Sequence, residues 1–588
     1  FFSVLGNFIM GDCPQQEICV VGACFTDLIA YVPRMPLPGE TLVGTKFSTG
    51  FGGKGANQAV QAARLGAKVM MLSKVGADSF GVDTIKNLAE QGIDATHVTQ
   101  EPGMSSGVAP INVDVSTGQN SIVIVPGALD AFTPVEVEAS RERIKKCGLL
   151  MCQLEAPLAV TLAALQIGRE EGLMTILNTA PAPQSPLPDK IWSLCDIVCA
   201  NEVELAGLTG LTVDTDADVE VAAAELLRRG TTKLLVTLGD RGCALFEGQP
   251  RCLRAVWQPS VRVTPKDTTG AGDSFLGALA YYLTTGCALE RALELATLVA
   301  AISVTREGTQ TAFPTGDEVL AHHAIGLIDH TSLGMEDTSA GIHALVDAAV
   351  TGGPHAAAVC IYPKHIPFVR TLQAQDPAKY PRSLRVATVV NFPSGQSPLE
   401  EVVQQTEAAV KDGVDEVDLV IDYKLLKADQ SRGHAAAVAL VRLVRAVCPP
   451  EKVLLKVILE TGELQSPELI ALACDAALAG GCDFLKTSTG KVPINATLEA
   501  AEIMLQKISE TRTPRPVGFK PAGGVKNLDQ VRQYLHLTAK ILLGSERRWA
   551  EVDSSRFRFG ASSLLAVLRS KEGNSRKRSR TEEPESSY

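Results

Sequence analysis

Several features that would place a protein in a narrow class are missing from this sequence. No stretch reaches the ~20 consecutive apolar residues of a membrane-spanning helix, so no membrane partner is expected. The fourteen cysteines lack the paired spacing of metal sites, which favours reduced core residues of a cytoplasmic protein. A Walker A sequence is absent, which excludes a P-loop nucleotide site. The net charge of −11 is mild for 588 residues and argues against a nucleic-acid partner.

The length and composition that are present predict more than one globular domain. A chain of 588 residues is too long for one ordinary core, and 50 glycines with 45% hydrophobic residues suit α/β folds. We expect one domain at residues 17–320 and another at 321–570. Residues 1–16, which lack an initiator Met and a basic region, are expected to be a disordered leader. Residues 571–588 are polar and charged without periodicity, which predicts a mobile tail; its basic run Arg576–Arg580 is too short to establish nuclear import, which stays open.

The segment Asp267–Gly277 predicts a loop that continues into a helix, because apolar residues recur at helical spacing after it begins. Gly270 and Gly272 allow a tight turn, so that successive N–H groups can converge on an anion at the helix start. Asp273 follows where a carboxylate can take a proton from a hydroxyl group that attacks a phosphate. A simple helix cap is the alternative role for a single aspartate.

Strands and helices alternate along the first half, which predicts a mainly parallel sheet with helices on both faces. The predicted strands are Ile18–Gly22, Leu149–Glu155, Thr175–Asn178, Ile197–Asn201 and Lys233–Gly239. Two runs that alternate apolar and polar residues, Glu40–Phe47 and Val108–Val125, predict a small exposed sheet that could serve as a lid. The segment Gly50–Asn57 contains a formal Gly-x-Gly-x-x-Gly, but Lys54 inside it favours a polar substrate over a dinucleotide.

Four motifs of the first half, in this order, resemble the carbohydrate kinase family that includes ribokinase: Gly52–Asn57, Asn201–Glu204, Thr237–Gly239 and Asp267–Asp273. The resemblance covers about residues 17 to 318. It implies a three-layer α/β/α domain with a small β lid, and an ATP-dependent kinase activated by K⁺. Phosphoryl transfer depends on positioning and charge neutralisation more than on covalent help, which agrees with this motif set.

The resemblance also implies a role for each matching residue. Asp273 would be the catalytic base for the 5-hydroxyl group of a pentose. The γ-phosphate would lie in an anion hole formed by Gly270, Ala271 and Gly272. The pentose would be held by Asp27, Gly53, Lys54, Asn57 and Glu155. Mg²⁺ and phosphate would be organised through water by Asn201 and Glu204, while the nucleotide would lie against Thr237 and Gly239. The K⁺ loop would comprise Asp267, Thr269, Ser303, Arg306 and Gly308.

Phe25 departs from this pattern, because many members of the family place an asparagine there, two residues before the sugar-binding Asp27. The loss of a polar partner weakens discrimination for the sugar hydroxyl group that it would bind. Ribose, 2-deoxyribose or both therefore remain possible substrates. The alternative interpretation is that Phe25 only packs under the lid.

Eight apolar runs in about 250 residues of the second half, most of them flanked by helical segments, predict a TIM barrel. The runs are Gly326–Asp329, Ala357–Tyr362, Leu384–Asn391, Glu416–Ile421, Val453–Leu459, Asp483–Thr487, Pro516–Lys520 and Ile541–Gly544. The carboxyl ends of the strands, where barrel enzymes place their chemistry, carry Asp329, Asp418, Lys456, Lys486 and Lys520. A single lysine at such a position would usually extend to solvent or pair with a carboxylate, but three lysines with an aspartate are difficult to explain structurally.

Such a cluster supports Schiff-base chemistry, because a lysine is a nucleophile only when it is neutral. A neighbouring ammonium group in a dry pocket lowers the pKa of a lysine toward neutrality. We predict that Lys486 is the nucleophile, that Lys520 is its cationic neighbour, and that Asp418 is the acid/base. Two glycine-bearing turns, Gly523-Gly524 and Gly560–Ser563, lie where barrel loops seven and eight commonly bind phosphate.

The second half resembles the deoxyribose-phosphate aldolase family through Cys360-Ile-Tyr-Pro, Asn391-Phe-Pro, Asp415–Asp418, the run that starts at Lys456, and both lysine motifs. The resemblance covers about residues 325 to 570 and implies cleavage of 2-deoxyribose 5-phosphate without a metal or cofactor. It implies that Lys486 forms the Schiff base, that Lys520 tunes it, and that Asp418 and Lys456 relay protons. The phosphate contacts would be Gly490, Gly523, Gly524, Ser562 and Ser563. The family ends in a tyrosine that folds over the active site, which corresponds here to Tyr588.

These observations predict a bifunctional enzyme, a pentose kinase fused to a class I aldolase, that acts on sugars and sugar phosphates and forms a homo-oligomer. One alternative is a ribose-specific kinase whose fusion to the aldolase is incidental or a mis-joined gene model. Another is that one half is inactive and serves only a structural or regulatory role. Both motif sets are intact, whereas a decayed site would be expected to lose Asp273 or Lys486.

Overall fold

The computed structural model describes residues 16–249 and 252–570, which form two compact units that divide between Gly316 and Asp317. The predicted leader, the tail with Arg576–Arg580, and Tyr588 lie outside the described residues apart from Gln16, so those expectations stay predictions. The predicted domain boundary at residues 320 and 321 falls within a helix, Gly316–Ile325, that also contains the division between the units. Each unit is described by itself below.

A nine-stranded sheet forms the centre of the first unit. In spatial order its strands are Cys252–Gln258, Cys243–Gln249, Lys233–Thr237, Ile197–Asn201, Met174–Asn178, Leu149–Cys152, Ile18–Val21, Val69–Gly76 and Asp94–Glu101. All neighbours are parallel except the pairs that involve Cys243–Gln249. The interior strands are fully buried apolar runs, as expected for a parallel sheet that helices cover on both faces. The α/β fold predicted from the alternating pattern is therefore confirmed.

A separate four-stranded sheet forms the predicted lid. Its spatial order is Lys46–Gly52, Phe25–Val32, Val108–Asp114 and Asn120–Ile122. The run predicted at Glu40–Phe47 becomes a strand only at its end, and that strand continues to Gly52. The run predicted at Val108–Val125 divides into two antiparallel strands because a turn interrupts it. The lid strand Phe25–Val32 starts directly after the central strand Ile18–Val21, so it brings Asp27 to the edge of the main sheet.

The helices of the first unit connect these strands. They are Lys54–Arg64, Ser79–Glu90, Pro134–Ala139, Arg141–Ile144, Leu158–Glu170, Lys190–Ser193, Glu202–Thr209, Asp216–Arg228, Ala271–Thr284 and Leu289–Ser303, with 3-10 turns at Gly127–Ala131, Gly239–Arg241 and Gln310–Ala312. Two of them position the candidate site, because Ala271–Thr284 packs closely on Lys54–Arg64. A methyl group on Gly277 would lie 2.5 Å from the carbonyl oxygen of Gln58, so glycine permits this close approach.

Eight parallel strands form the barrel of the second unit. In chain order they are Ile328–Thr331, Ala358–Ile361, Arg385–Val390, Glu416–Val420, Leu454–Ile458, Phe484–Lys486, Gly518–Lys520 and Phe559–Ala561. The first strand pairs with the eighth, and the seventh and eighth are joined by the parallel bridges Phe519–Phe557 and Ala522–Gly560. The TIM barrel predicted from eight apolar runs is confirmed.

The eighth predicted strand was wrong. Ile541–Gly544 is the end of the helix Leu528–Leu543, which Gly544 terminates in the left-handed conformation. The buried positions of that helix include Val531, Leu535 and Ala539, so its short apolar end continues a helical face and does not start a strand. The true eighth strand is only three residues long, which explains why it carries a weak apolar signal.

The helices of the second unit surround the barrel. They are Gly316–Ile325, Ser339–Val350, Ile366–Gln375, Leu399–Lys411, Tyr423–Ala428, Gln430–Val447, Thr461–Leu464, Pro467–Gly480, Leu498–Glu510 and Leu528–Leu543, with 3-10 turns at Pro363–His365 and Glu546–Glu551. Residues 564–570 are also helical. Within residues 16–249 and 252–570, no helix combines the length and the hydrophobicity required to cross a bilayer.

Candidate active sites

The helix Ala271–Thr284 begins at a glycine turn that carries the predicted catalytic base. Gly270 has a φ of 75°, and a side chain there would meet Thr309 at 2.6 Å, so only glycine fits. First-turn N–H groups of a helix lack helical acceptors and lie at its positive end, where anions are stabilised. Asp273 lies in this first turn and is buried. The local sequence therefore combines an anion-binding helix start with one buried carboxylate.

Two neutral amides hold the Asp273 carboxylate. Asn57 Nδ2 donates to Oδ2, and Gln58 Nε2 donates to Oδ1, each at 2.9 Å. A second layer supports them: Gln310 donates to Asn57 Oδ1 at 3.0 Å, and Gln153 donates to Gln58 Oε1 at 2.7 Å. Each carboxylate oxygen of Asp273 accepts one of these bonds and keeps a further lone pair that can face a substrate hydroxyl group.

Gln58 is a site residue that the sequence analysis missed. It is fully buried beside Asn57 in the helix Lys54–Arg64 and also donates to Asn178 Oδ1 at 3.2 Å. The available signal was weak, because a buried glutamine next to a motif residue looks like any polar residue of a helix. Its role depends on the helix Ala271–Thr284, which lies more than two hundred residues further along the chain.

A cavity of about 180 Å³ adjoins this helix start. The predicted residues that line it are Lys54, Asn201, Glu204, Thr237, Gly270, Ala271, Gly272 and Asp273. Gly239, predicted with Thr237 for the nucleotide, is not among the lining residues and begins the turn that follows the strand. Residues from the start and the end of the unit are thus gathered around one polar cavity.

Of the predicted pentose residues, Lys54 lines this cavity, while Glu155 contacts the Lys54 backbone and Asn57 contacts Asp273. The Lys54 backbone N–H donates to Glu155 Oε2 at 2.7 Å. Burial raises the pKa of Glu155 to about 7, and burial with the Asp273 charge raises the pKa of Asp27 to about 6. Burial opposes the charged form of the Lys54 side chain, but Asp273, Glu155 and Glu204 outweigh it and raise its pKa. A cationic lysine, together with the Glu155 and Asp27 carboxyl groups whose pKa values are raised toward neutral pH, suits a polyhydroxyl ligand.

Phe25 is buried beside the same region. Its backbone nitrogen lies 2.9 Å from the position of a methyl group on Gly53, and its ring is 2.4 Å from the corresponding position on Gly107. Gly107 immediately precedes the lid strand Val108–Asp114, which pairs with the strand that Phe25 begins, so the ring packs where these two lid strands start. Gly53 has a φ of 84° and lies where a side chain would meet the Ala23 carbonyl oxygen at 2.7 Å, which makes glycine necessary there.

The residues predicted to bind K⁺ lie in two chain segments that Asp267 connects. Asp267 accepts hydrogen bonds from the backbone N–H groups of Thr269 and Gly308, each at 2.9 Å, which joins the two predicted segments. The backbone N–H groups of Lys266 and Asp267 donate to the Val304 carbonyl oxygen at 2.7 and 3.2 Å, which holds the turn Ser303–Arg306 beside Asp267. Oxygen donors with one carboxylate suit a hard monovalent cation, so the set fits K⁺.

Glu204 and Asn201 cap each other at the start of the helix Glu202–Thr209. The Asn201 backbone and side-chain N–H groups each donate to Glu204 at 2.9 Å, and the Glu204 N–H returns a bond of 2.8 Å. Both carboxylate oxygens are therefore engaged but keep lone pairs for water, which fits a Mg²⁺ ion held through water. Within the described parts of the chain, no cluster of three or more His, Cys, Asp or Glu side chains could hold a metal directly.

A buried cluster of charged groups fills the barrel at the predicted aldolase site. Asp418 is its centre: Oδ2 accepts from Lys486 Nζ at 2.7 Å and from Lys520 Nζ at 2.8 Å, and Oδ1 accepts from Lys456 Nζ at 3.1 Å. Lys520 also donates to Asp329. All four residues predicted to carry the chemistry, together with Asp329, are at most 3% exposed. The structure brings together every charged rim residue that the strand pattern indicated.

The three lysines differ in their electrostatic environment. Burial lowers the pKa of the Lys486 amine, and although Asp418 opposes this shift, the Lys520 ammonium adds to it. Burial also acts against the charge of Lys520, but Asp329 and Asp418 outweigh it and raise its pKa. The pKa of Lys456 is raised in the same way, because three carboxylates outweigh the effect of its burial. Burial would raise the pKa of Asp418, but the lysines hold it well below its usual range. Only Lys486 is shifted toward the neutral, nucleophilic form.

Glu416 and Arg558 complete this cluster and were missed from the sequence. Glu416 contacts Lys456, and Arg558 bridges Asp329 Oδ1 at 2.7 Å and Glu416 Oε1 at 3.0 Å. The period of two in a strand was a usable signal for Glu416, because it places Glu416 and Asp418 on the same face. Arg558 had none, since the eighth strand, which begins directly after it, had been assigned to Ile541–Gly544.

The predicted phosphate-binding residues follow the last three barrel strands. Gly490 follows Phe484–Lys486, Gly523 and Gly524 follow Gly518–Lys520, and Ser562 and Ser563 follow Phe559–Ala561. All three glycines have positive φ, between 71° and 87°. The serines are exposed directly before the helical residues 564–570. The carboxyl ends of parallel strands lie at one rim, so these residues share the rim with the lysines.

Two family models divide the chain between them. The model of the pfkB family carbohydrate kinases matches residues 15–316, and that of the DeoC/LacD family aldolases matches residues 323–570. Deoxyribokinase of Salmonella typhi is 42% identical over 300 residues, which are 51% of this chain and 96% of that protein. Ribokinase of Mus musculus is 42% identical over 308 residues, 51% of this chain and 94% of that protein.

A solved structure of Arabidopsis thaliana ribokinase, complexed with ribose and ATP, is 29% identical with a TM-score of 0.49 and covers 52% of this chain and 98% of its own. The two family matches are adjacent and cover the two compact units in turn. The chain therefore belongs to the pfkB family of carbohydrate kinases through residues 15–316 and carries a DeoC/LacD family aldolase domain at residues 323–570.

Proposed function

We propose that the protein is a bifunctional enzyme that phosphorylates ribose and 2-deoxyribose at O5 with ATP and cleaves 2-deoxyribose 5-phosphate to acetaldehyde and glyceraldehyde 3-phosphate. One observation carries the proposal: the chain holds both a buried aspartate at an anion-binding helix start and a buried lysine shifted toward its neutral form. The chemistry links them, because phosphorylation of 2-deoxyribose makes the substrate of the second reaction. The names of the relatives, deoxyribokinase and ribokinase, support the first reaction.

In the kinase half, Asp273 accepts the proton of the pentose 5-hydroxyl group as its oxygen attacks the γ-phosphorus of ATP. Asn57 and Gln58 orient the carboxylate through hydrogen bonds from their side-chain amides, so that the lone pair facing the hydroxyl group stays free. The first-turn N–H groups of the helix stabilise the negative charge on the transferred phosphoryl oxygens. Asp27, Lys54 and Glu155 hold the remaining hydroxyl groups of the sugar.

Two cations complete the kinase site. Asn201 and Glu204 would hold Mg²⁺ through water, and the ion would neutralise phosphate charge when bound. Asp267, with the carbonyl groups of the loop that includes Ser303 and Gly308, would hold K⁺. Thr237 lies against the nucleotide in this proposal. Removal of K⁺ by dialysis against a sodium buffer is expected to lower kcat while leaving aldolase turnover unchanged.

In the aldolase half, the neutral amine of Lys486 attacks the C1 aldehyde of 2-deoxyribose 5-phosphate and forms a carbinolamine, which loses water to give an imine. Asp418 and Lys456 deliver and remove the protons of these steps. The imine accepts the electron pair of the C2–C3 bond when the C3 hydroxyl group loses its proton. This releases glyceraldehyde 3-phosphate and leaves an enamine. Protonation at C2 and hydrolysis then release acetaldehyde and restore the amine.

A coupled assay tests the proposal. The intact chain, given 2-deoxyribose, ATP, Mg²⁺ and K⁺, is expected to produce acetaldehyde and glyceraldehyde 3-phosphate. Ribose should be phosphorylated but not cleaved, because the enamine formed from 2-deoxyribose has no 2-hydroxyl group and a pocket shaped for that carbon excludes one. A chain that phosphorylates 2-deoxyribose without releasing acetaldehyde, or releases it only when 2-deoxyribose 5-phosphate is supplied, would retain one half of the proposal and remove the other.

The competing function is a ribose kinase fused incidentally to an aldolase, and the equal identity to a deoxyribokinase and a ribokinase keeps it in view. Phe25 favours acceptance of both sugars, so we expect kcat/KM for 2-deoxyribose within about tenfold of that for ribose, a gap of ~1.4 kcal/mol. Phe25→Asn should raise the preference for ribose by about the same factor. A preference for ribose of three orders of magnitude in the parent protein would favour the competing function.

A further inference from the structure

The charged cluster inside the barrel has an excess of positive charge. Its side chains are four cationic groups and three carboxylates, all at most 3% exposed: Lys456, Lys486, Lys520 and Arg558 with Asp329, Glu416 and Asp418. Within this ion-paired set, four positive charges face three negative ones, which leaves one cation without a balancing carboxylate. Two neighbours do not restore the balance: Glu460 accepts from Thr489 and burial raises its pKa, and the half-exposed Arg385, 3.8 Å from Glu416, adds a further cation. An uncompensated charge in a buried site is costly, so the group that can lose its proton most easily does so.

Arg558 cannot be that group. A guanidinium is not deprotonated in proteins, and Arg558 makes a forked contact with two carboxylates, Asp329 Oδ1 at 2.7 Å and Glu416 Oε1 at 3.0 Å. Its charge is therefore permanent, and it engages one oxygen of Asp329 and both oxygens of Glu416. The excess proton must leave one of the lysines.

The contacts decide which lysine it is. Lys456 contacts three carboxylates, Lys520 contacts two, and Lys486 contacts only Asp418. The single carboxylate oxygen that Lys486 contacts is also shared with Lys520. Lys486 is consequently the least stabilised ammonium group of the three.

Building on the aldolase activity proposed above, we propose that Arg558 is a positioning residue that selects Lys486 as the nucleophile. It does so at a distance: its permanent charge, anchored to Asp329 and Glu416, gives the cluster one more cation than it has carboxylates. Arg558 contributes no proton to the reaction. It sets the charge balance that keeps Lys486, the lysine with the fewest carboxylate contacts, neutral.

The surroundings of Lys486 agree with this assignment. Burial lowers the pKa of its amine, with Asp418 opposing that shift and Lys520 adding to it. The ionisable groups that face or influence the amine from the neighbouring strands and loops are Cys360, Asp418, Lys456, Lys520 and, after the fifth strand, Glu460, with Asp329, Glu416 and Arg558 behind them. Arg558 is the one cation of the group that cannot respond to a change of pH.

The test is the pH dependence of Arg558→Met. Three lysines then face three carboxylates, so Lys486 can keep its proton, and the acid limb of kcat/KM for 2-deoxyribose 5-phosphate should move up by about one pH unit or more. Below that limb, cleavage should fall about tenfold. A second readout is the pH dependence of borohydride trapping of acetaldehyde on Lys486, located by peptide mass, which requires no turnover. A packing role for Arg558 would lower both signals without moving either limb.

Two companion variants sharpen the test. Arg558→Lys keeps the charge and should keep the acid limb near that of the parent. The double variant Glu416→Gln with Arg558→Met has three cations and two carboxylates, so the excess of one returns and the limb should move back. If Arg558→Met does not fold, Glu416→Gln alone raises the excess and should move the limb to lower pH.

An acid limb that stays at the parent pH in the folded variants would overturn the role of Arg558. A parent protein that forms no imine on Lys486 would instead overturn the proposed aldolase activity. The two failures are thereby distinguishable.

Discussion

The two candidate sites each depend on a buried aspartate, and they hold it in opposite ways. Asp273 accepts hydrogen bonds from the neutral amides of Asn57 and Gln58, whereas Asp418 accepts from the side-chain nitrogens of three lysines. The amides orient the first carboxylate without adding charge beside the phosphates that must bind there. The lysines keep the second carboxylate ionised, and that carboxylate in turn raises the pKa of Lys456 and Lys520.

The difference shows how charge is matched to each reaction. A phosphoryl transfer site must accommodate several negative charges, so the helix start and Lys54 supply positive potential while the base is held by uncharged groups. A Schiff-base site must make one lysine neutral, so it crowds cations around a limited number of carboxylates. Variants that remove the lysine amine, the aspartate carboxylate or the amide that supports it test this comparison.

The largest effect is expected for Lys486→Met, which removes the amine but retains the volume. Cleavage of 2-deoxyribose 5-phosphate should fall about 10⁴-fold or more, the order seen when an enzyme loses its covalent nucleophile. Borohydride with acetaldehyde should add mass to Lys486 of the parent and to no residue of the variant. The matched control Lys507→Met, which breaks an outer ion pair with Asp475, should cleave normally. Labelling of Lys520 in the parent would show that the wrong lysine is assigned.

Asp273→Asn should lower sugar phosphorylation by about 10²–10⁴-fold, because the amide cannot accept the hydroxyl proton. Cleavage of added 2-deoxyribose 5-phosphate should be unchanged, which separates the two sites on one polypeptide. Initial rates of ADP and acetaldehyde formation measure both activities in the same preparation. Asp130→Asn, at an exposed position, is the control. Kinase turnover near that of the parent would remove Asp273 from the mechanism.

Gln58→Met tests the amide support of Asp273 and should lower kcat for phosphorylation by about 10- to 10²-fold, with a smaller change in KM. The reason is that the carboxylate loses one of its two orienting bonds, and small misplacements of a reacting group are costly. Gln166→Met, on the exposed face of the helix Leu158–Glu170, is the control. If Gln58→Met matches that control, the carboxylate is positioned by Asn57 alone.

The pH dependence of sugar binding should be the smallest effect. Glu155 has a raised pKa of about 7 and Asp27 of about 6, so both are mostly ionised at pH 8 and lose their charge as the pH falls toward 6. Weaker hydrogen bonds to the protonated groups should raise KM for the pentose about fivefold over that interval, since bonds to charged groups are stronger by ~1 kcal/mol. Glu155→Gln should flatten most of this change, whereas Glu138→Gln on the surface should not. A KM in the parent that is constant from pH 8 to pH 6 would contradict the assignment of these carboxylates to the sugar.

Much of the fold could be predicted because both halves repeat simple patterns. Alternating strands and helices indicated the parallel sheet of the first unit, and seven of the eight barrel strands matched apolar runs. The eighth did not, because Ile541–Gly544 carries an apolar cluster that belongs to a helical face, while the real strand has three residues. Local hydrophobicity does not distinguish these cases, since only the ring closure requires a strand at Phe559–Ala561.

What the sequence by itself predicted were the roles of residues that lie within one motif. Asp273 beside two glycines, and Lys486 and Lys520 at strand ends, indicate their roles because short-range geometry and residue type suffice. What only the tertiary structure decided were the partners that set their electrostatics. Gln58 reaches Asp273 across two packed helices, and Arg558 reaches Glu416 across the barrel. Charge balance and hydrogen bonding act through space at a few ångströms, and no spacing along the chain encodes those distances.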